Sequence, residues 1–84
     1  MTYTTKDQLV AAWLRYNNIP FQLDAEGLPV VTEDLNARKY TKYLYFLNPD
    51  ECERLATLYR RYDAPVEAHT FADILYREIK PLFL

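Results

Sequence analysis

Apolar positions recur along the chain in three helical stripes separated by short alternating runs. The first stripe is Leu9, Val10, Trp13 and Leu14, extended by Tyr16 or Asn17. That spacing predicts a helix with one buried face. Thr4 or Thr5 is placed to cap it, and Asp7, Gln8, Ala11, Ala12 and Arg15 fall on the opposite face. Asn17 and Asn18 end it, because Asn tolerates a left-handed backbone. Pro20 blocks continuation and pushes Ile19 toward an extended shape.

The pattern then changes period. Phe21-Gln22-Leu23 alternates, and Leu28-Pro29-Val30-Val31 is apolar with β-branched residues at its end. Asp24-Ala25-Glu26-Gly27 separates the two runs. Two strand-like runs around a short turn predict a β-hairpin, with Gly27 where φ must be positive. Pro29 limits its strand to an edge or to its first residues. Thr32-Glu33-Asp34-Leu35 has acids where a first helical turn favours them, and predicts a short helix from Glu33 to about Arg38. Lys42 to Leu47 reads as a third strand that joins the hairpin, with helical continuation over Tyr43–Leu47 as the alternative.

Asn48-Pro49-Asp50-Glu51 predicts a capped helix start: Asn48 as cap, Pro49 at the first position, Glu51 closing a capping box. The stripe that follows is Cys52, Leu55, Ala56, Tyr59 and Tyr62, and Arg60 and Arg61 oppose the dipole in the last turn. A final stripe of Phe71, Ile74, Leu75 and Ile79 predicts a helix ending before Pro81. It starts near Pro65 or at Thr70, with Thr70 favoured. Leu82-Phe83-Leu84 is too apolar for a free tail and is expected to pack on the body. The fold class is therefore α+β. A single domain over residues 1–84 holds an N-terminal helix, a β-hairpin with a possible third strand, and two C-terminal helices.

Composition narrows the function classes. With 84 residues, half of them hydrophobic, the chain makes one small folded domain rather than a disordered one. A domain of this size buries only about 60–65% of its unfolded surface, so its aromatic residues carry much of the core. A net charge of −2 gives no general attraction to nucleic acid. The single cysteine, Cys52, allows no internal disulfide and fits a reducing compartment. The start, MTYTTKDQ, lacks the basic and apolar regions of a signal peptide, and the longest apolar run, Tyr43 to Leu47, is too short to span a bilayer. The expected location is the cytoplasm of a bacterial host cell, with no membrane partner.

Catalytic constellations are sparse. Cys52 and His69 are the one thiol and the one imidazole, too few for a zinc site. Cys52 falls on a buried stripe, where a small inert hydrophobe is expected. The acid pairs Glu33-Asp34 and Asp50-Glu51 are explained by helix N-termini, and a single glycine excludes a Gly-rich phosphate loop. No enzyme activity, cofactor or metal is expected. Arg38-Lys39-Tyr40-Thr41-Lys42-Tyr43 interleaves bases with aromatics, a pattern able to meet phosphates and stack on bases. Eight tyrosines offer apolar area with a polar tip, the chemistry of protein interfaces.

The segment from Gln8 to Leu35 resembles a family of short phage-associated domains similar to winged-helix excisionases and related regulators. The resemblance rests on Gln8, Trp13-Leu14, Asn18-Ile19-Pro20-Phe21, Gly27, Pro29-Val30-Val31 and Leu35. It implies a recognition helix before the hairpin, with Gln8 and Arg15 facing a major groove. The hairpin would be a wing whose tip, Ala25-Glu26, meets the DNA backbone. That family's preceding brace helix is not in this sequence, and the wing tip is acidic. The expectation that follows is a phage or prophage binding protein that inhibits or modulates a host protein, such as a defence or transcription component. Its anchors would be Tyr40, Tyr43 and Tyr45. The alternative is an excisionase-like regulator that contacts DNA through Gln8, Arg15, Arg38, Lys39 and Lys42. A homodimer is compatible with either.

Overall fold

The computed structural model describes residues 1–34 and 41–84. Its elements run β1 (Tyr3–Thr5), α1 (Gln8–Tyr16), β2 (Val31–Asp34), β3 (Thr41–Phe46), α2 (Pro49–Arg60) and α3 (Ala68–Asp73). The last helix continues through a π segment, Ile74–Ile79, into a 3₁₀ turn, Lys80–Phe83. Three strands form an antiparallel sheet in the order β1-β3-β2, and helices cover one of its faces. The α+β class expected from the pattern is the class observed.

Helix α1 is the centre of the core. Val10, Ala11, Ala12, Trp13 and Leu14 are all buried. Ala11 and Ala12 therefore do not lie on a solvent face as the stripe suggested. Their small side chains let α2 and the π segment approach α1 closely, and that contact buries them. Leu9, expected in the stripe, is 43% exposed. The cap is also different. Thr5 belongs to β1, and Asp7 caps the helix, its Oδ1 accepting from the N–H groups of Leu9 at 2.9 Å and Val10 at 3.2 Å. The expected end holds: Asn18 is left-handed at φ 63°. The Ile19 N–H closes the helix on the carbonyl of Leu14 at 3.1 Å, a Schellman-type end.

The Phe21–Val31 region turns back on itself as expected, but through isolated bridges rather than two full strands. Leu23 pairs with Pro29, and Phe21 with Phe46. Gly27 takes φ 81°. Asp24 organises the turn, since its carboxylate accepts from the N–H groups of Glu26 and Leu28. The helix expected from Glu33 is a strand at its start, because Val31–Asp34 pairs with Thr41–Leu44. Cross-strand bonding along β3 outweighs the weak preference of Thr-Glu-Asp for a helix start. The rest of that expectation, Leu35–Arg38, lies outside the described residues. The run expected over Lys42–Leu47 is a strand over Thr41–Phe46, and it is the central one.

Helix α2 begins at Pro49 as expected, but there is no capping box. Asn48 is left-handed at φ 59° and its side chain makes no cap hydrogen bond. Glu51 turns instead to Arg54 in an ion pair. Cys52, Leu55 and Ala56 are buried, whereas Tyr62 lies past the helix end and is 99% exposed. The last helix starts at Ala68, between the two expected starts, because Glu67 caps it through the N–H groups of His69 and Thr70. Leu75 and Ile79 are buried on α1. Pro81 has no N–H to continue helical bonding, and the chain tightens to 3₁₀ there. Leu82 and Phe83 pack against the core, while Leu84 is exposed.

Candidate functional site

Side chains alternate across a strand, so β3 presents two different faces. Leu44 and Phe46 are fully buried against the helices. Tyr43 and Tyr45 point the other way and are half-buried. Register sets their neighbours. Tyr45 stands opposite Thr4 of β1, and Tyr43 opposite Thr32 of β2. Thr4 and Thr32 are exposed. The outer face of the sheet is thus a pair of tyrosines flanked by threonines. Its backbone is secured on both edges of β3. Beyond the end of β2, the N–H of Gln22 donates to the Tyr45 carbonyl at 2.8 Å, and the Leu47 N–H to the Pro20 carbonyl at 2.9 Å. A rigid strand carrying two aromatic rings with polar tips suits docking better than chemistry. Tyr40, the third expected anchor, lies outside the described residues.

The residues expected to meet DNA are divided. Gln8 and Lys42 line one concavity of about 420 Å³ with Lys6, Thr41, Phe83 and Leu84. Lys42 is engaged there, its Nζ donating to the Leu84 carbonyl at 2.8 Å. Arg15 is at the other end of α1. It donates to the Ile19 carbonyl at 3.1 Å, meets Glu78 at 3.4 Å and stacks over Phe21 with 5.3 Å to the ring centre. The arginine therefore ties α1 to the turn region and to the π segment. Arg38 and Lys39 lie outside the described residues.

Cys52 and His69 do not form a pair. The thiol is buried and donates to the Leu47 carbonyl at 3.3 Å. Burial, with Glu51 adding to it, pushes its pKa up to about 11, the opposite of an activated thiolate. His69 is exposed in the first turn of α3. No group of three His, Cys, Asp or Glu side chains able to hold a metal ion occurs among the described residues. No described helix is long and apolar enough to cross a membrane.

Two features of the surface were not visible in the sequence. One is the threonine pair beside the tyrosines, because β1 and β2 flank β3 only through long-range pairing. The other is the corner at the end of α2, where Tyr59, Arg60, Tyr62 and Ala64 line a concavity of about 420 Å³. The run Tyr59-Arg60-Arg61-Tyr62 is the only local signal for it, and a helix end accounts equally well for its cations.

No protein-family model, curated protein or solved structure matches the chain.

Proposed function

We propose that the chain is a non-enzymatic binding protein that modulates a protein partner through the outer face of its sheet. The observation that carries this reading is the alternation along β3. Leu44 and Phe46 fill the core, while Tyr43 and Tyr45 stay half-exposed beside Thr4 and Thr32. Tyrosine loses little rotamer freedom on docking, buries a large ring, and keeps a hydroxyl for a hydrogen bond at the rim. The inert thiol and the engaged Arg15 and Lys42 add support, since they leave the sheet face as the best-formed surface for contact.

The reading is tested with a tagged chain and its Tyr43→Ser/Tyr45→Ser variant in bacterial lysate, with and without nuclease. A partner that the wild type retains after nuclease treatment and the variant loses, at unchanged melting temperature, supports it. Loss of a buried tyrosine anchor costs about 2 kcal/mol or more of affinity. A partner held equally by both chains, or released by nuclease, overturns it.

A further inference from the structure

The end of α2 is built in an unusual way. The Asp63 N–H returns to the Leu58 carbonyl at 2.9 Å and the Tyr62 N–H to the Tyr59 carbonyl at 3.1 Å. This is a Schellman ending, whose left-handed position belongs to glycine or asparagine. Helix α1 puts Asn18 at the equivalent position. Helix α2 puts Tyr62 there, at φ 59°, with its side chain in solvent. A bulky residue is strained in this conformation, and Tyr62 makes no compensating contact with the core. Strained backbone positions cluster at functional sites, which makes Tyr62 a candidate for one.

The charges around it point to the kind of use. Arg15, Arg54 and Arg77 each pair with a carboxylate. Arg60 and Arg61, which precede Tyr62, have no carboxylate partner among the described residues, and Arg60 lies beside the Tyr3 hydroxyl. The carboxylates of the adjoining elements are occupied: Asp7 caps α1 and Glu67 caps α3. Asp63, the next residue, and Glu53, which acts on the Tyr3 hydroxyl together with Arg60, are the other acids near this corner. The helix dipole accounts for a cation here, but not for a tyrosine in a glycine position beside two arginines. The concavity at this corner runs on into an apolar groove of about 260 Å³ lined by Leu9, Trp13, Tyr59, Ala64, Val66 and Phe71. The two share Tyr59 and Ala64.

We propose that this corner is a second binding surface and that its occupant is an acidic peptide segment of a protein partner. The segment sets carboxylates on Arg60 and Arg61, packs against Tyr62, and seats an apolar side chain in the groove at Tyr59 and Ala64. Arginine suits the first contact because its planar fork matches a carboxylate. Together with the sheet face, the chain then has two places at which to hold a partner or to join two.

The test is an NMR titration of the full chain with a synthetic peptide of Glu and Asp around one central Leu, and with its Lys counterpart. The acidic peptide is expected to shift the amides of Tyr59–Val66 and Leu9, and the Lys peptide to leave them in place. Arg60→Gln/Arg61→Gln should weaken the acidic peptide about tenfold or more. Tyr62→Gly should raise the melting temperature, by removing the strain, and still weaken binding. Equal shifts from both peptides, shifts elsewhere only, or a Tyr62→Gly chain that binds as well as the wild type would overturn the proposal. So would a short DNA duplex that shifts the same amides more strongly than the peptide, or concentration-dependent shifts there without any peptide.

Discussion

The indole N–H of Trp13 donates to the carbonyl of Leu55 at 2.9 Å, joining α1 to α2 across a sequence separation of 42. The ring is 4% exposed and stacks on Tyr16 at 6.0 Å. Tyr16 in turn meets the edge of Phe71 and accepts from the Glu67 N–H through its hydroxyl. Two stacked side chains, Trp13 and Tyr16, thus link the first helix to α2 and α3. Trp13→Ala is expected to cost about 3–5 kcal/mol, enough to unfold a domain of this size. Trp13→Phe keeps most of the apolar area and loses the hydrogen bond, so it should cost about 1–2 kcal/mol. Urea denaturation of the two variants measures both.

Asn48 is held by its backbone rather than by a side-chain cap. Its carbonyl accepts from the Cys52 N–H at 3.1 Å, and its φ of 59° is the feature that selects the residue. Asn48→Ala should destabilise by about 1 kcal/mol, because alanine resists the left-handed region. Asn48→Gly should be neutral or stabilising. A loss for glycine as large as that for alanine, in thermal melts, would restore the cap role.

The buried Cys52 thiol should be nearly inert. Its pKa of about 11 against an ordinary 9.0 lowers the thiolate fraction at pH 8 about a hundredfold. Alkylation by iodoacetamide should therefore be slower than in the urea-unfolded chain by at least that factor. The raised pKa also sets a sign. The folded state holds the proton more tightly, so this contribution to stability is complete below about pH 9 and falls as pH rises through 9 toward 11. The Tyr3 and Tyr59 hydroxyls, raised first by burial, act in the same alkaline direction. Midpoints of urea unfolding at pH 8 and pH 10.5 compare the two regimes.

Acid should loosen α3 from its capped end. The Thr70 hydroxyl, with the backbone N–H groups of Thr70 and His69, holds the Glu67 carboxyl below its ordinary pKa. The folded state favours the ionised form, so the cap is complete above the ordinary carboxylate range and is lost as pH falls through the lowered value. Amide shifts of His69 and Thr70 should titrate together at low pH. In Glu67→Gln, that shared titration should vanish.

Residue pattern alone determined those elements whose causes lie within a few positions. Helix α1 is legible in the Leu9–Leu14 spacing and its Asn ending, α2 in Asn48-Pro49 and the Cys52–Ala56 stripe, and the positive φ of Gly27 in the turn around Asp24. The strand character of β3 is legible in its aromatic run, and so is the α+β class. The tertiary structure decided the rest, because the energy involved comes from distant partners. Tyr3–Thr5 is a strand because β3 has an edge to pair with it, and Val31–Asp34 is one because the other edge outweighs a weak helix signal. Ala11 and Ala12 are core because α2 and the π segment approach α1, which a helical wheel drawn for α1 alone cannot show. The same limit governs the candidate sites. Tyr43 and Tyr45 could be named from composition, but only the pairing of β3 showed that they share an outer face with Thr4 and Thr32. Helical periodicity placed Tyr62 on a buried stripe. The chain reverses at the end of α2, before that stripe reaches it, and the ring is left in water.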